Sequence, residues 1–269
     1  MKNKNIEKQQ TFFDHLEVLR WHFIRIVIVF FILAVVVFLN KSYIFDTIIL
    51  GPQKADFPTY TILCKIAEIL HAPGICLEKT NFSIINLELT GQITIHIKAS
   101  ITLAIALTIP YILIELWMFI KPALKVKEKN YIAGILVFAA VLFFIGLIFG
   151  YYVLLPLTIQ FLSSYSISSE IINQISLQSY LSNISTLSLS GGLIFELPVL
   201  IYFLQKIGLI TASKLRSMRK YMIVISLILG ALLSSPDVLS QIIVALPLYI
   251  LFELSIVIAF YTERKTNNK

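Results

Sequence analysis

Six apolar stretches constrain this chain more than anything else in it: Phe23 to Leu39, His96 to Phe119, Tyr131 to Leu155, Leu187 to Leu204, Tyr221 to Leu233 and Gln241 to Phe260. A bilayer core of about 30 Å takes about 20 helical residues, so the pattern predicts an all-α, polytopic membrane protein with six spans. The fifth stretch has thirteen residues, which as a helix cover about 20 Å. That span either meets a thinned bilayer or stops partway. With 58% hydrophobic and only 14% charged residues, the chain of 269 residues is read as one membrane domain, 1–269. The Lys- and Asn-rich start, Met1 to Gln10, leads to no small-residue cleavage site. The first stretch is therefore expected to be a retained span and not a signal peptide.

Orientation follows from Lys and Arg, which cytoplasmic loops collect. Seventeen of the 22 fall in segments 1–25, 121–129, 206–220 and 264–269, and five in or beside the first loop. Both termini are expected in the cytoplasm. The domain divides into a cytoplasmic N-terminal segment (1–22), an outer loop (40–95), cytoplasmic loops (120–130 and 205–220) and a cytoplasmic tail (261–269). The net charge of +7 is accordingly a topology signal, with no nucleic-acid partner implied.

Within the outer loop, Asp46 to Leu50 and Thr61 to Leu70 suit short interfacial helices. They are interrupted at Gly51-Pro52, Phe57-Pro58 and Pro73-Gly74. Cys64 and Cys76, the only two cysteines, both lie here, on the side where a disulfide persists; the alternatives are a disulfide or two unpaired thiols. A second outer loop, Pro156 to Thr186, is rich in Ser, Gln and Asn and lacks Lys and Arg. Pro110, Pro156, Pro198 and Pro247 lie in or beside four spans and are expected to bend them into a concave face. Gly146 and Gly150 form a G-x-x-x-G pattern that is expected to bring another helix of the same chain close.

Ionisable residues in such a body are costly and mark function. Glu196, in Phe195-Glu196-Leu197-Pro198, lies about ten residues, or roughly 15 Å, from Lys206 and so near the midplane. Glu115 and Glu253 lie in other spans near the cytoplasmic edge, where they are expected to reach water. Asp237 lies between the fifth and sixth spans. The four histidines are scattered, and no H-E-x-x-H, G-x-S-x-G or phosphate-cradling Gly loop occurs. Neither a catalytic site, a metal site nor a cofactor is expected. A proton-coupled small-solute secondary transporter using Glu196 and Asp237 is the alternative reading. It is weakened because the two halves show no inverted repeat.

Five motifs in order carry a resemblance. They are Asp14-His15-Leu16-Glu17-Val18-Leu19-Arg20; Trp117-Met118-Phe119-Ile120-Lys121-Pro122-Ala123-Leu124 with Glu128; Phe195-Glu196-Leu197-Pro198-Val199; Ser235-Pro236-Asp237-Val238-Leu239-Ser240-Gln241; and Pro247-Leu248-Tyr249-Ile250-Leu251-Phe252-Glu253. Together they resemble the TatC family, the polytopic receptor and core subunit of the twin-arginine protein translocase. The resemblance implies six helices cupped around a concave face, with short fifth and sixth helices. It implies a bacterial cytoplasmic (inner) membrane and a multimeric complex with single-span TatA/TatB-like subunits. Folded precursors with twin-arginine signal peptides would be exported on the proton gradient.

The same resemblance places Glu128, Glu17, Arg20, His15, Leu16 and Phe119 at the signal-peptide site. Glu196, Asp237, Glu115, Glu253 and Gln241 become polar or partner-facing positions in the membrane, and Pro52 a position of the outer loop. A cytoplasmic carboxylate is the natural receiver of a guanidinium, which it binds through two parallel hydrogen bonds. The first motif departs from the family, because Val18 stands where a signal-contacting Glu is usual. Glu17 is adjacent but turned by about 100° around the helix. Asp14 and Glu17 also have the spacing of a helix-capping box, so Glu17 has two expected roles, docking and capping.

Overall fold

Helix formation follows the apolar stretches almost throughout. The computed structural model describes residues 12–54, 56–69, 83–120, 132–168, 174–206, 208–233 and 238–267. The first half forms α1 (Phe12–Leu39), α2 (Lys41–Tyr43), a π-helical turn (Ile44–Ile49), a 3-10 turn (Gly51–Gln53), α3 (Pro58–Ile69), β1 (Ile84–Ile85) and α4 (Gly91–Ile120). Next come α5 (Ile132–Phe149), a second π-helical turn (Gly150–Leu154), α6 (Leu155–Ser164), β2 (Ile175–Ser176), α7 (Leu177–Phe195) and α8 (Leu197–Lys206). The chain then forms α9 (Ala212–Ser217), α10 (Arg219–Leu233) and α11 (Val238–Asn267).

Among the described residues, five helical segments are long and apolar enough to cross a membrane: Glu17–Leu39, Gly91–Phe119, Gly134–Ser164, Leu177–Gln205 and Gln241–Tyr261. The fifth apolar stretch forms α10, which at 15 residues is short, as expected, and lies along α11. The sixth is not short. Helix α11 runs for 30 residues, about 45 Å, because nothing after Tyr261 breaks it. Its extension is fastened by Glu263, whose Oε2 accepts the Ala212 backbone N–H at 3.1 Å.

The fourth crossing begins ten residues before the expected start at Leu187, and most of the Ser-rich segment 156–186 is helical rather than loop. Two of its serine hydroxyls bond back to their own helix, Ser185 donating to Leu181 O at 2.8 Å and Ser190 to Leu187 O at 3.3 Å, whereas the buried Ser188 hydroxyl has no partner among the described residues. The helix is held by Tyr180, Leu181, Ile184 and Leu187, buried at helical spacing. Ser176 caps its start, accepting the Ser179 N–H at 3.2 Å.

At one end of the body, residues 40–54, 56–60, 150–168 and 174–180 are tied together more closely than the sequence suggested. Tyr180 donates to Ile49 O at 2.8 Å, Tyr60 to Pro52 O at 2.8 Å, Tyr151 to Ile48 O and Thr59 to Tyr152 O. Phe57 stacks on Tyr152 with centroids 5.0 Å apart. Burial raises the Tyr60 phenol above its ordinary pKa, so it remains a neutral donor. β1 and β2 pair in parallel, Ile84 opposite Ile175, tying the two loops of this end together. Pro73-Gly74 lies outside the described residues. So does Cys76, whereas Cys64 takes part in a disulfide. We expect alkylation of the denatured, unreduced protein to add no mass, and alkylation after reduction to label both cysteines of the sequence. Labelling without reductant would exclude the bond.

Each proline removes one backbone donor from its helix. Pro110 and Pro247 lie inside α4 and α11. Pro156 follows the widened turn 150–154, which joins α5 to α6 without ending the crossing. Pro198 cannot donate to Ile194, and there the helix breaks between α7 and α8. Gly146 and Gly150 do seat another helix of the same chain, α7. A Cβ on Gly150 would lie 2.3 Å from Leu187 O, and one on Gly146 2.4 Å from Gly191 O.

Candidate functional site

Glu196 is the residue at the break between α7 and α8. Its backbone N–H turns back to Leu193 O at 3.2 Å, and its carbonyl accepts from Val199 and Leu200. Phe195 and Pro198 beside it are buried. Both Glu196 carboxylate oxygens are buried and have no hydrogen-bond partner among the described residues. A structural bond to Ser or Thr, the simplest reason to keep an acid there, is not made. An ionised carboxylate in this position lacks any donor among the described residues, an arrangement that costs several kcal/mol unless water, a proton or a partner supplies one.

The other two membrane carboxylates are fully engaged. Glu115, on α4, does not reach water as expected; its side chain is 1% exposed. Tyr111 donates to its Oε1 at 2.5 Å, while His22 Nδ1 and Arg25 Nη1, both on α1, donate to Oε2, the arginine at 3.4 Å. Glu253, on α11, is partly exposed. It accepts Arg219 Nη2 at 2.7 Å and the Tyr249 hydroxyl at 3.0 Å.

His22, Arg25, Tyr111, Arg219 and Tyr249 were not singled out from the sequence, yet a signal was present. Tyr111-Ile112-Leu113-Ile114-Glu115 and Tyr249-Ile250-Leu251-Phe252-Glu253 repeat one pattern, placing a hydroxyl one helical turn before each acid. Gln241 donates from Nε2 to Leu227 O at 3.0 Å, clasping α11 to α10. Asp237 lies outside the described residues.

Glu17 and Arg20 are exposed near the start of α1 and pair at 3.8 Å. The capping box is not formed: α1 begins no later than Phe12, so Asp14 lies inside the helix and Glu17 has no helix start to cap. His15 and Leu16 lie in the same part of α1, with side chains outside the described residues. Trp117 is buried, its ring 4.4 Å from Phe203. Phe119 meets the His22 ring edge-on at 6.1 Å, so the second motif comes against α1 two residues past the end of the first. Glu128, in the segment that follows α4, lies outside the described residues. Pro52, at the other end, is buried and supplies the carbonyl for Tyr60. No group of three or more His, Cys, Asp or Glu suited to a metal ion occurs among the described residues.

Comparison with known proteins accounts for the arrangement. A family model described as "Sec-independent protein translocase protein (TatC)" matches residues 14–247. A protein of that name from Blattabacterium sp. subsp. Periplaneta americana (strain BPLAN) is 38% identical over 264 residues, covering 97% of this chain and 99% of the relative. The one from Aquifex aeolicus (strain VF5) is 33% identical over 253 residues, 94% and 95% of the two chains. A crystal structure of the twin-arginine translocase receptor TatC in DDM superposes with a TM-score of 0.69 at 32% identity, over 91% of this chain and 99% of that one. These relatives are components of a protein translocase and not enzymes. Its all-helical, multi-pass architecture and the match over residues 14–247 place this chain in the TatC family of Sec-independent protein translocase proteins.

Proposed function

We propose that the chain is the receptor and core of a twin-arginine translocase. It crosses a bacterial inner membrane six times with both termini in the cytoplasm, α10 making the short fifth crossing. Twin-arginine signal peptides bind at the end that carries Glu17, Arg20 and the 121–131 segment. Single-span subunits of the TatA/TatB kind meet the carboxylate at the α7–α8 break, and folded cargo passes on the proton gradient. The observation that carries the reading is the contact of His22 with Phe119. It brings α1, two residues past its acidic motif, against the end of α4, and Glu128 follows eight residues after that helix in the sequence. Paired guanidiniums entering there meet acids beside a membrane surface, where a charge-assisted hydrogen bond is worth about 1.5–3 kcal/mol.

Photocrosslinking from positions 128 and 17 to a twin-arginine peptide, with a twin-lysine peptide as control, tests this reading. Arginine-dependent crosslinks are expected, and Glu128→Lys is expected to weaken peptide binding at least about tenfold. No crosslink from either position, with the protein folded in membranes, would overturn the receptor role.

A further inference from the structure

Helix α1 is attached to the body chiefly along α4, and its two ends are held by different chemistry. Only two side chains of its span are buried among the described residues, His22 and Val37. At the Val37 end the attachment is apolar and aromatic: Val37 packs with Ile95 and Ala99, Phe38 stacks on His96 at 4.0 Å, and His96 Nε2 bonds Phe38 O at 3.0 Å. At the other end the buried contact is polar. Glu115 takes His22 and Arg25 on one oxygen and Tyr111 on the other. An ionised carboxylate only accepts hydrogen bonds, so with Glu115 ionised the His22 ring donates to it.

Geometry makes this contact a rotational lock. His22 and Arg25 are three residues apart and share one face of α1, which is pinned to α4. Val18, four residues before His22, falls on that face, and Glu17 is turned aside, where it is exposed and paired with Arg20. We infer that Glu115, His22 and Arg25 are positioning residues of the signal-peptide site. They act through α1, setting the height and rotation at which its first turns meet the end of α4. This inference rests on the receptor reading above, and it names residues that need not touch the signal.

The test uses the full chain in lipid nanodiscs. Spin labels go on Leu19→Cys and Met118→Cys, both exposed positions, and a labelled twin-arginine peptide reports affinity. A single narrow α1–α4 distance is expected with Glu115 in place. Glu115→Leu should broaden it and weaken peptide binding at least about tenfold. Glu115→Gln, which keeps the shape and one acceptor oxygen, should restore part of both, and His22→Leu should behave like Glu115→Leu. Phe31→Ala, on the exposed side of the same helix, should change neither. A wild-type distance in folded Glu115→Leu and His22→Leu overturns the lock, and a broadened distance with unchanged affinity overturns the positioning role. If Glu115→Leu does not fold, His22→Leu and Glu115→Gln carry the same comparison. Absence of arginine-dependent binding by the wild-type chain overturns the receptor reading, and the distance then decides the lock alone.

Discussion

Export of a twin-arginine precursor falls at least about tenfold in cells whose only copy carries Glu196→Leu, while signal-peptide affinity stays within about twofold of wild type. The argument is one of orphaned charge. Both Glu196 oxygens are buried with no partner among the described residues, so deleting the carboxylate breaks no hydrogen bond among them. Replacing an unpaired buried acid by an apolar side chain of similar length is neutral or stabilising for the fold. Thermal stability in detergent is therefore expected to hold or rise. A loss of export in that stable variant is a loss of function alone, assigned to whatever donor meets Glu196 during transport. Normal export by Glu196→Leu would remove this carboxylate from the mechanism.

The second large effect is on folding. Gly150→Val is expected to abolish accumulation of folded protein in the membrane. The added Cβ would meet Leu187 O at 2.3 Å and Ser188 Cα at 2.7 Å. Both contacts are backbone, which cannot swing aside as a side chain can. Overpacking of this kind costs about 1–3 kcal/mol even where side chains adjust, and here the close pairing of α5 and its continuation with α7 must open. Gly191 faces Gly146 O at a hypothetical 2.5 Å, so small residues on both helices allow the approach. Gly134→Ala is the control, since a Cβ there meets nothing within 4 Å, and it is expected to leave expression and melting unchanged. Protease resistance in native membranes would read both. A folded, heat-stable Gly150→Val protein would show that the helices are not held at this distance.

Glu115 shows how far a sequence carries a site. Its place in an apolar stretch was legible, because an acid there stands out, and its hydroxyl partner Tyr111 lies one turn away on the same helix. Its other two partners lie 93 and 90 residues earlier, and no local pattern links His22 to Glu115. For that reason it was expected to reach water when it is in fact sealed. Glu17 shows the reverse. Its spacing from Asp14 is that of a cap, but the helix runs past both residues, and a capping signal has no force where the chain continues helical.

The apolar windows, the brevity of α10, the interruptions at Gly51-Pro52 and Phe57-Pro58 and the acid beside Pro198 are local properties. They follow from hydropathy, proline's missing donor and helical period, and the sequence by itself determined them. Only the tertiary structure decided that the Ser-rich start of α7 is helix, that β1 pairs with β2, that Glu115 is sealed between α1 and α4, and that Glu196 has no partner among the described residues. Each depends on which distant segments are neighbours. A serine can satisfy its hydroxyl on its own helix or elsewhere, and a carboxylate is stable or strained according to donors that other helices bring to it.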